Sequence, residues 1–125
     1  MKTGREVLLQ ALSLLGYTNH LGEIDSAQHA ETMKRGTSAL MQIYRDLKAL
    51  ESPSDVTEYT DMGTDLPLSY RTVNDIMPYG VAMVLAQGDG NADGFAYFAA
   101  TYNGKRKAAA RPSKKILDVI PQGGY

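Results

Sequence analysis

His20 and His29 are the two histidines of the chain, nine positions apart, with Glu23, Asp25 and Glu31 close by in sequence. Zinc needs ligands that converge on one point, commonly a His pair on one helical face with a third ligand fixed nearby. A spacing of nine across a loop-to-helix junction supplies no such convergence, so two solvated histidines are the preferred reading. Asp89-Gly90-Asn91-Ala92-Asp93-Gly94 reproduces the first half of an EF-hand calcium loop between two predicted helices. Where such a loop places its bidentate Glu stands Ala100, and Phe95 and Tyr97 fill two further ligand positions. The same residues make an ordinary tight interhelical turn with an Asn or Asp N-cap, which is preferred over calcium binding. Thiolate chemistry and disulfides are excluded because there is no Cys. There is no Gly-x-Ser-x-Gly elbow near a His and no Gly-rich phosphate loop. Carboxylates cluster between Glu51 and Asp65, but on predicted loop tips, where burial cannot raise a pKa toward neutrality. The expectation is a chain without catalytic residues, metal or cofactor.

Charge is more informative than reactive groups. The 125 residues hold 13 Lys+Arg and 14 Asp+Glu, a net charge of −1, yet the two signs are segregated. Residues 46–93 carry nine acids against Lys48 and Arg71, among them Asp55, Glu58, Asp61 and Asp65. Residues 94–125 carry Lys105, Arg106, Lys107, Arg111, Lys114 and Lys115 against the single acid Asp118. A basic stretch of that size could neutralise several phosphates and bind nucleic acid in a salt-dependent way. Against this, the chain as a whole is slightly acidic, and the predicted turn before the last helix does not open a basic recognition helix. Contact with charged protein surfaces is at least as well supported, by a piece expected to have two unlike ends.

These groups must be positioned by helices. Thr3 and Glu6 have capping-box spacing, and Val7, Leu8, Ala11, Leu12 and Leu15 form one apolar stripe closed by Gly16. Residues 17–24 read as a loop. Asp25 or Ser26 can then cap a long second helix to about Leu50, striped by Ala30, Met33, Thr37, Leu40, Tyr44 and Leu47 at heptad-like spacing. This helix is the expected element against which the others pack. Glu51 to Asp65 reads as an exposed acidic loop with an extended stretch over Val56 to Tyr59, followed by Leu66-Pro67-Leu68 and the N-cap Ser69. Tyr70, Val73, Met77, Val81 and Val84 continue one stripe through Pro78, which predicts a kinked third helix ending near Gly88. A fourth helix is expected from Ala92 to about Ala110, with Phe95, Phe98, Ala99 and Tyr102 on one face and Arg111-Pro112 as its stop.

The fold class is therefore all-α: a four-helix bundle over residues 1–110 with a long second helix and an acidic interhelical loop, and an extended C-terminal docking arm over residues 111–125. A chain of this length buries roughly two-thirds of its extended surface, enough for one core. The longest apolar run, Val81 to Ala86, is far too short to span a bilayer. The N-terminal stretch is a poor match to a signal peptide, so a cytoplasmic origin is expected. The arm carries Ile116, Leu117, Val119 and Ile120, four large aliphatics that need a surface to cover them.

The order of these features resembles the head-to-tail adaptor, or connector, proteins of tailed bacteriophages. The resemblance rests on Val7-Leu8-Leu9-Gln10-Ala11-Leu12 with Leu15-Gly16, and on Ala39-Leu40-Met41-Gln42-Ile43-Tyr44-Arg45-Asp46-Leu47. It continues through Leu66-Pro67-Leu68, the run Met77-Pro78-Tyr79-Gly80-Val81-Ala82-Met83-Val84-Leu85-Ala86, Tyr102-Asn103-Gly104-Lys105-Arg106, and Ile116-Leu117-Asp118-Val119-Ile120-Pro121. It covers about residues 3–121, and its motifs are hydrophobic patterns rather than chemical signatures. It implies a structural virion protein at the head–tail interface, assembled in the host cytoplasm as a homo-oligomeric ring, usually a dodecamer. Its partners would be the portal protein above, tail or nozzle proteins below, and genomic DNA passing through without specific binding. On this reading Lys105, Arg106, Lys107, Arg111, Lys114, Lys115, Ile116, Leu117, Val119 and Ile120 dock on the portal or a neighbour. Asp55, Glu58, Asp61 and Asp65 face a neighbour or the channel. The alternative is a small helical DNA-binding protein, a regulator or packaging factor.

Overall fold

A computed structural model describes residues 2–17 and 29–110. They form four helices packed together: α1, Gly4–Leu14; α2, Ala30–Glu51; α3, Met77–Gly88, preceded by a π-helical turn over Thr72–Ile76; and α4, Ala92–Ala110. Among the described residues the only β pairing is an isolated antiparallel bridge between Thr3 and Asp65, so the extended stretch expected at Val56 to Tyr59 does not form a strand. The arm at 111–125 and the expected loop from 18 to 24 lie outside the described residues, as do Asp25 and Ser26; α2 is not capped by either, since it begins at Ala30 with His29 in the N-cap position and no side-chain cap bond.

Local chemistry explains the helix ends. Thr3 Oγ1 accepts from Glu6 N at 3.2 Å while Glu6 Oε1 accepts from Thr3 N at 2.9 Å, the reciprocal capping box. Those bonds from Thr3 hold the Glu6 carboxyl below its ordinary pKa. α1 then buries Val7, Leu8, Ala11 and Leu12, the expected stripe. On α2 the buried face is Gly36, Ala39, Leu40, Ile43, Tyr44, Leu47 and Lys48. That spacing alternates three and one, the broad stripe of a globular helix rather than a coiled-coil seam. Ala30, at the start of the expected heptad stripe, is exposed.

The central element is α3, not α2 as the heptad spacing suggests. It packs against each of the other three helices, while α1 and α4 meet α2 only along short stretches. Met77, Pro78, Gly80, Val81, Ala82, Leu85 and Ala86 are all buried, an apolar surface wrapped around most of the helix. Small residues let the neighbours close in. A Cβ on Gly80 would stand 2.7 Å from the Tyr102 ring of α4 and 2.9 Å from Ile43 Cγ2 of α2.

Proline is absorbed differently from expectation. Helical backbone begins at Tyr70, capped by Ser69 Oγ accepting from Thr72 N at 3.3 Å. It then widens by one residue, with Met77 N donating to Thr72 O. The i→i−5 register opens the turn ahead of the Pro78 ring, so the helix continues with a π-bulge in place of a simple kink. The extra residue rotates the stripe: Val73, Met77 and Val81 stay buried, but Tyr70 is turned out and is 77% exposed.

The four helices run alternately up and down. One end brings together the start of α1, the end of α2, the start of the α3 helix and the end of α4, as Leu66 N to Lys2 O at 2.9 Å and Lys48 Nζ to Pro67 O at 2.9 Å record. At the other end Asp89, just past α3, accepts from Arg35 Nη2 of α2 at 2.7 Å and from the Tyr17 hydroxyl at 2.5 Å. No helix among the described residues is long and apolar enough to cross a membrane.

Candidate functional site

Among the described residues the acidic loop and the basic end of α4 occur at the same end of the bundle, and do not form the two unlike ends that the linear charge pattern suggests. The reason is the fold: α2 and α4 both finish there, and the loop leaves from the end of α2.

On the α4 side, two of the three described bases are already engaged. Arg106 Nε and Nη2 donate to the two oxygens of Asp46 at 2.8 and 3.1 Å, a fork-to-fork pair between α4 and α2. The Tyr102 hydroxyl donates to the same carboxylate at 2.6 Å. Burial works to raise the pKa of Asp46, but the hydrogen bonds from Arg106 and Tyr102 outweigh it and hold the carboxyl below its ordinary value. Burial, reinforced by the neighbouring Asp46, pushes the Tyr102 hydroxyl far up, so it remains a donor. Lys105 Nζ lies 2.8 Å from Asp75 Oδ1 and 5.2 Å above the Tyr79 ring, which fixes α4 to the π-turn and α3. Lys107 is exposed and makes no ion pair among the described residues. Of the basic set, Arg111, Lys114 and Lys115, with Ile116, Leu117, Val119 and Ile120, lie outside the described residues.

The acidic loop is exposed along most of its length, yet it is pinned from below. Tyr59 is buried; its hydroxyl accepts from Gly4 N at 2.8 Å and donates to Thr64 O at 2.6 Å, tying the loop to the first turn of α1. The Tyr44 hydroxyl donates to Thr57 O at 2.7 Å, and the two tyrosine rings stand 5.6 Å apart. Buried Lys48 reaches Pro67 O and, at 3.1 Å, Asp55 Oδ2. Asp55 also accepts from the Thr57 hydroxyl and backbone at 2.5 and 2.9 Å, and these bonds, with Lys48, bring its pKa down to about 2. Asp61 Oδ1 accepts from Gly63 N at 2.9 Å. Asp55, Glu58, Asp61 and Asp65 are all exposed along this loop, with Asp55 paired to Lys48. Tyr44, Lys48 and Tyr59 are the residues sequence reasoning missed. The one available signal was that Lys48 follows Tyr44 by four and so shares its face.

The half EF-hand sequence resolves into structure. Asp89 is occupied by Arg35 and Tyr17, and Asn91 Oδ1 accepts from Gly94 N at 2.9 Å as an N-cap beside Gly90 at φ +72°. The half EF-hand is thus a helix-to-helix turn. His29 is half-buried with its ring 5.7 Å from that of Tyr17, and His20 lies outside the described residues. Among the described residues no group of three or more His, Asp or Glu is arranged to hold a metal ion.

One further concavity adjoins the charged end. A groove of about 480 Å³ is lined by Leu47, Leu50, Glu51, Ser69, Arg71, Thr72, Ala109 and Ala110, where α2, the α3 helix and α4 meet. Glu51 spans its rim, accepting from Ser69 N and the Thr72 hydroxyl, each at 2.8 Å. Compared with known protein families, curated proteins and solved structures, the chain matches none.

Proposed function

We propose that the chain is a non-catalytic assembly protein, a subunit of a head-to-tail adaptor ring that docks beneath a phage portal and joins it to the tail around the DNA channel. The observation that carries this reading is the placement of the acidic loop and the end of α4 at one end of the bundle. A pinned acidic loop and the end of a basic helix converge there, and residues 111 onward leave from the same end. An end bearing both signs suits protein partners, because opposite patches fix register and suppress wrong pairings. In a ring, exposed carboxylates on Asp61 and Asp65 would keep passing DNA from sticking. Portal, tail proteins and neighbouring copies are the partners on this reading, and the virion its location.

The test is binding to a purified portal ring, followed by electron microscopy of the complex. Deleting residues 111–125 should abolish binding, and undiminished binding would sink the proposal for the arm. Reversing charge at Asp61 and Asp65 together should disturb ring assembly or genome passage. The DNA-binding alternative draws less support, since Asp46 and Asp75 already satisfy Arg106 and Lys105. A salt titration of DNA binding separates the two: a DNA reader loses affinity steeply with salt, an adaptor binds DNA weakly throughout.

A further inference from the structure

We propose that the groove between Leu47, Leu50, Arg71 and Ala109 is a receptor for the chain's own aliphatic segment, Ile116 to Ile120. Three observations point to this occupant. First, α4 ends on the groove itself: Ala109 and Ala110 form part of its wall, so the segment begins at the site it would fill. Arg111-Pro112 ends the helix, and residues 111–115 can reach about 17 Å when extended, ample for the chain to turn back. Second, size and chemistry agree. The floor is Leu47 and Leu50, and about 480 Å³ is enough for two or three aliphatic side chains. An extended segment offers alternate side chains to a surface, so Leu117 and Val119 enter together while Asp118 is left on the opposite face for the charged rim. Third, the rims match in charge. Arg71 is exposed and makes no ion pair among the described residues, and Asp118 is the one acid after residue 93. Glu51 is the acid of the groove lining, and Lys114 and Lys115 are the bases that immediately precede the aliphatic segment in sequence.

A tether this short holds the segment at about millimolar effective concentration, so even weak docking is populated within one chain. One consequence rests on the adaptor reading: the docking arm is sheathed in the unassembled subunit, and a portal must compete for the same aliphatics. The contact itself does not depend on that reading.

The absence of cysteine makes a direct test clean. In the full chain, Leu50→Cys with Val119→Cys is oxidised beside a control, Ser13→Cys with Val119→Cys, whose partner lies at the far end of the bundle. The expected result is an intramolecular disulfide in the monomer forming about tenfold faster than the control, as a docked tether predicts. Adding Ile116→Asp and Leu117→Asp, which lie beyond the packed helices, should return it to the control rate. Equal rates, cross-links only between chains, or a fast cross-link that survives the two Asp substitutions would each overturn the proposal. No portal enters this experiment, so its failure is distinct from failure of the adaptor reading.

Discussion

Two connections between helices, α3 to α4 and α2 to the α3 helix, are built on different principles. In the first, α3 passes to α4 through three residues, Asp89 to Asn91, shaped by a left-handed Gly90 and an Asn91 cap, with Asp89 alone tied to distant partners, Arg35 and Tyr17. In the second, residues 52–69 separate α2 from the start of the α3 helix. A loop that long keeps a defined shape only if contacts distant in sequence offset its ordering entropy. Tyr59 meets Gly4 across 55 positions, and Arg106 meets Asp46 across 60. The difference teaches where function can be placed. A short turn has no spare surface, whereas a pinned loop holds exposed carboxylates in fixed relation to the helices beneath.

If the connections differ in this way, substitutions at the loop end should cost more. The largest effect is expected from Tyr59→Ala, which removes a buried ring and two hydrogen bonds, at about 3 kcal/mol read from the urea midpoint. A loss below about 1 kcal/mol would show that the loop is not pinned by this residue. Asp46→Ala should follow at about 1–2 kcal/mol, because the buried Tyr102 hydroxyl loses its acceptor while the half-exposed Arg106 pair adds little. Mutating Arg106 as well should then cost almost nothing more, a double-mutant cycle that isolates the pair.

At the turn end, Gly90→Ala and Asn91→Ala are each expected to cost about 1 kcal/mol, the first through left-handed backbone and the second through a lost cap. Thermal melts of the two series would place the connections on one scale. The smallest effect is a pH dependence. Asp55 titrates at about 2 when folded against an ordinary 3.8, so its contribution is present above about pH 4 and is lost as pH falls toward 2. Asp46 shifts in the same direction. Asp55→Asn should flatten the acid limb of a stability–pH curve over that window while leaving its shape above pH 5 about the same; an unchanged acid limb would remove Asp55 from the account.

Much of the fold was legible because it is local. Thr3 and Glu6 are three residues apart, and the α1 stripe and the α4 boundaries follow from spacings of three and four. The acidic stretch was legible as a loop from its Pro, Gly and Thr content. The central role of α3 was not, since length and heptad spacing favoured α2, and only packing shows which helix is covered around most of its surface. The outward turn of Tyr70 was hidden as well, because a single π-turn rotates every residue before it relative to the stripe. Among the proposed site residues, exposure of Asp55, Glu58, Asp61 and Asp65 followed from composition, whereas the engagement of Lys105 and Arg106 did not.

The sequence by itself determined the helices, the caps of α1, the α3 helix and α4, and the sign of charge on each segment, since these depend on neighbours within about four residues, whereas α2 starts at Ala30 without the expected cap. Only the tertiary structure decided which charges remain for a partner. The alternating direction of the helices carries the end of α4 back to the end of α2, where Asp46 takes Arg106, Lys48 takes Asp55, and the acidic loop and basic helix share one end of the bundle. Electrostatic pairing acts through space over a few ångströms, and no linear pattern of signs records which distant groups the packing will bring that close.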